Sequence, residues 1–256
     1  MMRIRNPNRR QIIKGALGSA TSLLLAGCEP LSERPWILSV LGLAESLNYR
    51  VQRLIIPRNR LAPEFAESDI SPYFKPNGSS DPEDEDYQAL AKNGFADWAL
   101  LIDGLVDRPA KLSLKELMEM PSRTQITRHD CVEGWSCIGK WKGVPLGSLL
   151  EMTGLNPRAR YVVFHCADAM EPGVKYYESI DLVDAFHPQT ILAYEMNDKR
   201  LPIPHGAPLR LRVERQLGYK MAKYVMRIEA VETFAGLGQG RGGYWEDNGY
   251  DWYAGI

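Results

Sequence analysis

From Asp97 to Glu229 the chain is a succession of short apolar, β-branched and aromatic runs, each cut off by turn or helix-stop residues, and this pattern constrains the fold more than any other feature. The run 98–106 predicts a strand. Ser113-Leu114-Lys115-Glu116 is a capping box that opens a short helix, which Pro121 ends. Another strand runs into Cys131, and 146–152 predicts a helix with Gly154 as its stop. The run 161–166 is strongly β, 190–194 and Leu201 predict a hairpin turning at Asn197-Asp198, and 209–214 and 224–229 add two strands. The expected class is α+β with a predominantly β, mixed-sheet core. No repeat and no transmembrane helix is expected.

The first 27 residues read as an address. Asn8-Arg9-Arg10-Gln11-Ile12-Ile13-Lys14 is a twin-arginine export pattern, and the apolar stretch 15–26 is rich in Gly, Ser and Thr. It is too short to span a bilayer, which takes roughly 20 apolar residues. Leu25-Ala26-Gly27-Cys28 is similar to a lipoprotein cleavage box, which makes Cys28 the lipid-bearing first residue of a periplasmic chain; an uncleaved signal acting as a tether is the alternative. Twin-arginine export moves folded proteins, often with a cofactor already inserted, so a prosthetic group is expected. The leader holds five basic and no acidic residues, so 31 Lys and Arg against 32 Asp and Glu become 26 against 32, a formal charge of −6 from Cys28 onward. That balance excludes nucleic acid as a natural partner. Residues 28–90 lack clear periodicity and carry Pro30, Pro35, Pro57, Pro63, Pro72, Pro76 and Pro82, which predicts an extended arm over a domain spanning 91–256; the acidic stretch 81–86 is expected to be a solvated loop.

Chemistry concentrates in Thr127-Arg128-His129-Asp130-Cys131-Val132-Glu133-Gly134-Trp135-Ser136-Cys137. A cysteine at a strand end with Arg128 and His129 beside it is expected to have its pKa lowered by positive charge, as a nucleophile or soft-metal ligand requires. The bland alternative is a buried structural thiol. With Cys28 set aside, Cys131, Cys137 and Cys166 are an odd set that cannot all pair, although a Cys137–Cys166 bridge stays open. His129, Cys131, His165 and Cys166 have zinc-compatible chemistry, but adjacent strand residues point to opposite faces, so one shared ion is not expected. The glycine-rich 236–243 lacks the lysine and hydroxyl residue of a phosphate-binding loop. It leads to Tyr244, Trp245, Tyr250, Trp252 and Tyr253, an aromatic tail that either packs at the core edge or lines the access to a site.

Six blocks occur in one order: Asp103-Gly104-Leu105-Val106, Cys131-Val132-Glu133-Gly134-Trp135, Trp141-Lys142-Gly143-Val144-Pro145-Leu146, Leu192-Ala193-Tyr194-Glu195-Met196-Asn197, His205-Gly206-Ala207-Pro208-Leu209-Arg210 and Gly218-Tyr219-Lys220-Met221-Ala222-Lys223. From about Asp97 onward they resemble the molybdopterin-binding domain of the sulfite oxidase family. Tyr73-Phe74-Lys75-Pro76-Asn77-Gly78 resembles the family's upstream pterin-contacting loop.

The resemblance implies a molybdenum-molybdopterin cofactor, with Cys131 as metal ligand and with Arg128 and Glu133 beside it as further catalytic candidates. It implies that His205, Arg210 and Lys223 hold the pterin and its phosphate, for which cationic, bidentate-capable side chains are suited. Lys75, Asn77, Cys166, Asp168, Met221 and Ala222 are its further cofactor-binding candidates. Singly, each has a dull reading: Arg210 and Arg212 could alternate outward on an exposed strand, and Lys220 and Lys223 could be solvated.

The implied activity is two-electron oxygen-atom transfer. No Cys-x-x-Cys-His haem site occurs, so electrons are expected to pass through a membrane cytochrome or quinone-linked partner. The length leaves no room for the dimerisation domain of true sulfite oxidases, so a monomer is expected, similar to the bacterial methionine-sulfoxide reductase branch with its haem-carrying membrane partner. Two positions depart from that branch: His205 stands for its asparagine and Cys166 for its threonine. Sulfite-type oxidation and a non-catalytic binding lipoprotein are the competing expectations.

Overall fold

The computed structural model describes residues 35–256. The leader and Cys28 lie outside the described residues. The chain divides into two compact units, one ending at Leu54 and one running from Ile55 to Ile256. Helix α1, Pro35–Ile55, exposes Leu43, Leu47, Val51 and Leu54. Spaced at three and four residues, these form one apolar stripe. Among the described residues no helix is long and apolar enough to cross a membrane.

The second unit is built on two five-stranded sheets. The first has the order β2-β1-β10-β5-β6, from β1 (Ala99–Gly104), β2 (Ala110–Ser113), β5 (Tyr161–Glu171), β6 (Val174–Asp181) and β10 (Val225–Val231). Its β1–β10 pair is parallel and the rest antiparallel, so the sheet is mixed. The second has the order β3-β4-β7-β8, from β3 (Arg123–Asp130), β4 (Ser136–Pro145), β7 (Ile191–Met196) and β8 (Lys199–Arg200), with β9 (Arg210–Arg212) also paired to β7. One core cluster joins side chains of both sheets, among them Leu100, Ile102, Phe164 and Ile228 from the first and Val144, Leu192 and Leu211 from the second. Helices are short and peripheral to this plan: α2 (Glu85–Lys92), α3 (Leu114–Glu119), α4 (Leu146–Thr153), α5 (Leu182–Ala185) and α6 (Tyr244–Asp247). The fold is α+β with a β core.

Local chemistry explains most boundaries. The Ser113 box is formed in both directions, the Ser113 hydroxyl accepting from Glu116 N and the Glu116 carboxylate from Ser113 N. Gly154 ends α4 at φ +70°, where its N–H satisfies two last-turn carbonyls.

The expected extended arm is corrected in two places. Residues 35–55 are helical, and the acidic stretch 81–86 contains the start of a helix, with the Asp84 carboxylate accepting from Tyr87 N. A run of carboxylates suits a helix N-terminus as well as it suits solvent. Between these helices the chain runs along the second sheet, interrupted by a 3-10 turn at Glu67–Asp69. Phe65 N donates to Ile126 O and Ser71 N to Ile138 O, so 64–71 lie against β3 and β4. Sheet pairing there requires no sequence periodicity, because the arm supplies backbone and the sheet supplies register.

Candidate active site

β3 shows why the cysteine motif has two sides. Successive strand residues face opposite ways, and here Gln125, Thr127 and His129 are buried while Arg128 is exposed. Cys131 follows in the inward series. It begins the turn between β3 and β4, closed by Cys131 N donating to Trp135 O at 2.9 Å and Gly134 N to Cys131 O at 3.0 Å, with Gly134 at φ +84°. The thiol lines a cavity together with Asn77, Asp168, Met221 and Lys223.

Arg128 is not brought to this cavity. Its Nε donates to Asp130 at 2.9 Å, and it lines a separate cleft with Arg60, Leu61 and Arg215. The expectation of a lowered cysteine pKa is also overturned: burial pushes the Cys131 thiol up, a shift that Lys75 and Arg210 only moderate. His129 gives no help, because burial, then Arg210 and Arg212, hold its pKa well below the usual range and keep it neutral. A thiolate at Cys131 therefore needs a bound cation.

Behind Cys131 lies a buried cationic cluster. Arg210 and Arg212 are both inaccessible on β9, correcting the outward alternation that a surface strand would give. Arg212 is neutralised by Glu214 through bonds of 2.9 and 2.6 Å, and its NH1 lies 3.1 Å from His129 Nδ1. Arg210 has no carboxylate: its NH2 donates to Asn77 Oδ1 at 2.9 Å, its NH1 to His205 O at 3.2 Å, and its Nε has no partner. Burial, and next Arg212, lower the Arg210 pKa to about 9. Lys223 is brought down to about 7 by burial and then Arg210, with Nζ donating to the carbonyls of Ser79 and Pro204. His205 falls to about 4 for the same reasons, burial first, and its Nδ1 is unpartnered. Gly206 permits the approach, since a Cβ there would lie 2.8 Å from Lys223 Cβ.

Arg210 and Lys223, packed this way with no carboxylate among the described residues bonded to either, imply an anionic ligand. Three unpartnered buried nitrogens, Arg210 Nε, His205 Nδ1 and His129 Nε2, say the same in hydrogen bonds. The donor set fits a phosphate-bearing pterin: Lys223 and Asn77 line the same cavity as the Cys131 thiol, a soft metal ligand, and Arg210, which is bonded to Asn77, lies behind that wall with His205. Sulfate is therefore expected to raise the melting temperature of cofactor-free protein more at pH 6 than at pH 8.5. Lys223 titrates near 7 in the folded chain against about 10.4 unfolded. Its buried charge thus destabilises the fold fully below pH 7, and the cost fades as pH rises from 7 toward 10. Equal stabilisation at both pH values would take Lys223 out of the anion site.

The other candidates divide. Asn77 joins arm to cluster through Arg210. Asp168 lines the cavity with one oxygen accepting from the Ser79 hydroxyl at 3.0 Å and the other unpartnered, and burial raises its pKa. Met221 lines the cavity with Sδ 3.2 Å from His129 Nδ1. Lys75 and Glu133 pair at 3.0 Å at the half-exposed rim, where Glu133 also accepts from Trp135 Nε1. Cys166 and Ala222 are buried but do not line the cavity; Ala222 O accepts from Leu211 N. Cys131, Cys137 and Cys166 are all free thiols.

Sequence reasoning missed His129 as a buried neighbour and Trp141 as the platform of the cluster, with the Arg212 guanidinium 4.3 Å and Arg210 5.4 Å from its ring centroid. The alternation of β3 could have found His129. Gly139-Lys140-Trp141-Lys142-Gly143, small residues flanking one aromatic at strand spacing, could have found Trp141.

The family described as oxidoreductase molybdopterin binding domain matches residues 88–235. The chain belongs to this molybdopterin-binding oxidoreductase family. It is an enzyme of that family and takes its cofactor. A relative from Azospira oryzae, which carries the provisional name protein-methionine-sulfoxide reductase subunit YedZ1, is 37% identical over 97% of this chain and 88% of its own length. The protein-methionine-sulfoxide reductase catalytic subunit MsrP of Xanthomonas campestris pv. campestris is 39% identical over 53% of this chain and 45% of its own. The sulfane dehydrogenase SoxCD from Paracoccus pantotrophus aligns over 54% of this chain and 39% of its own, with TM-score 0.49 and 24% identity.

In this family's site Arg210, Lys223, His205 and Asn77 would hold the pterin and phosphate, and Cys131 would bind the metal. When bound, the molybdenum centre would supply two-electron redox chemistry. The chain's own part is orientation through the β9 cations and exclusion of water by Phe74, Trp141 and the β3–β4 turn.

Proposed function

We propose that this protein is the catalytic subunit of a cell-envelope sulfoxide reductase, taking two electrons from a membrane haem or quinone-linked partner. The substrate's S–O bond breaks, its sulfur gains the electron pair, and the oxygen leaves as water with two protons. The observation that carries this reading is the charge of the cavity wall. Among the described residues Lys223 is the only Lys or Arg lining it, against the carboxylates of Glu133 and Asp168. With Lys223 committed to the cofactor's phosphate, no cation is left to receive an oxyanion such as sulfite, and Glu133 is held ionised by Trp135 and Lys75. A neutral S=O substrate has no such conflict. The names of the reductase relatives agree with this.

Export through the twin-arginine leader 1–27, a lipid at Cys28, an arm over 28–90 and a monomeric domain over 91–256 complete the proposal. The periplasmic location rests on the leader pattern at 8–14 and the box at 25–28.

The test is a reduced-dye assay of holoenzyme from a molybdenum-replete host against a panel of sulfoxides and N-oxides, beside a sulfite oxidation assay. Reduction of sulfoxides with little sulfite oxidation is expected. The reverse pattern would reassign the reaction, and protein with no molybdenum and no extractable pterin would leave only a binding role.

A further inference from the structure

Part of the cavity wall comes from outside the family-matched segment. The match ends at residue 235, yet Trp245 and Tyr250 line the same cavity as Cys131. Helix α6 and the turn after it place them. Asp247 N donates to Gly243 O and Tyr250 N to Trp245 O, at 2.9 and 3.0 Å, and the two rings stack with centroids 5.2 Å apart and planes 28° from parallel. Tyr219 meets Tyr250 edge-on at 5.2 Å, and its hydroxyl donates to Asp251 O at 2.7 Å.

A buried ionic clamp fixes this arrangement. Lys220 Nζ lies 2.5 Å from both Glu178 and Glu246, and all three side chains are inaccessible. Glu246 neighbours Trp245 and Lys220 neighbours Tyr219, so the clamp ties the tail to the turn that carries the third ring. Val132 and Met170 add apolar surface to the same cavity. Tyr250 is 38% exposed, so the stack stands at the solvent edge rather than deep among the cofactor-binding cations.

We propose that Tyr219, Trp245 and Tyr250 are the specificity wall of the site, receiving the apolar flank of a thioether sulfoxide. This rests on the reductase reading above and narrows it: the favoured substrates carry a methyl–sulfur end with a further apolar arm. Aromatic rings attract polarizable sulfur and methyl groups through their faces and edges, and their apolar faces compete poorly with water for a hydrated oxyanion. Two of the three rings, Trp245 and Tyr250, come from the 236–256 segment beyond the matched residues, and Tyr219 comes from within them.

The test compares wild-type holoenzyme with Tyr250→Ala and Trp245→Leu, the first at a partly exposed ring and the second keeping an apolar side chain. Calorimetric Kd for methionine sulfoxide on the oxidised enzyme is measured beside dye-linked KM and kcat for methionine sulfoxide and dimethyl sulfoxide. Both variants are expected to raise Kd and KM for methionine sulfoxide about tenfold, equivalent to ~1.4 kcal/mol, with a smaller change for dimethyl sulfoxide and wild-type molybdenum and pterin content. Unchanged Kd and KM would overturn the wall. Loss of pterin from either variant would also overturn it, by making the rings part of the cofactor cradle. Wild-type enzyme that reduces no sulfoxide but oxidises sulfite would bring down the reductase reading and the wall with it, a failure read on the unmodified protein and so distinct from the other two.

Discussion

Cys131→Ser is expected to fold, to keep its pterin, and to lose dye-linked turnover by on the order of a thousandfold or more, the scale at which loss of a group at the reacting centre is felt. Burial already pushes the Cys131 thiol up, so its thiolate depends on the metal, and a hydroxyl is both harder and far more reluctant to ionise. Arg210→Ala should fail differently. Its guanidinium bridges the Asn77 loop and the His205 turn, and a charge-assisted phosphate contact contributes roughly 1.5–3 kcal/mol, so this variant should release the whole cofactor about ten- to a hundredfold more readily. Molybdenum, extractable pterin and activity measured on both variants separate the roles. Near-normal turnover in Cys131→Ser would remove the cysteine from the mechanism.

Lys220→Met should be among the most destabilising single changes in the chain. Breaking a buried ion pair by removing one partner costs about 3–5 kcal/mol, against total stabilities of about 5–15 kcal/mol. Here two carboxylates would be left facing each other. Burial and then Glu246 already raise the Glu178 pKa well above the ordinary range, while the two carboxylates together hold the Lys220 ammonium charged although burial opposes it. In the variant Glu178 takes up a proton as pH falls, so the loss of melting temperature should be greatest above neutrality and shrink toward pH 5. Glu178→Gln added to Lys220→Met should recover part of it. Thermal unfolding of the single and double variants across pH checks this; a pH-independent loss would mean that packing around the lysine stem, not charge, is what the clamp contributes.

Much of the fold was legible because its signals are local. The Ser113 box, the Gly154 stop and the β-run from Tyr161 each depend on a few neighbouring residues, and each element formed where its chemistry lies. β4 and β6 escaped notice for a physical reason. Glycines, lysines and acidic residues are weak strand formers that interrupt both segments, and these strands are held by pairing with β3, β7 and β5. Helix α1 was hidden by the same limit, since a proline at its first residue reads as a breaker although that is where a helix tolerates one.

The site divides along the same line. Cys131, His205, Arg210 and Lys223 were legible as candidates only through the order of blocks that resemble a known family, since taken singly each has a dull reading. Which of them meet was not. Arg128 and His129 are neighbours in the chain and part company because strand residues alternate, one to solvent and one to the core. Asn77 reaches Arg210 across 133 positions, Glu246 reaches Lys220 across 26, and Tyr250 reaches Tyr219. Charge and softness belong to single side chains and are fixed by composition; burial, counter-charge and pKa depend on what the folded chain sets around them, and only the tertiary structure decides that.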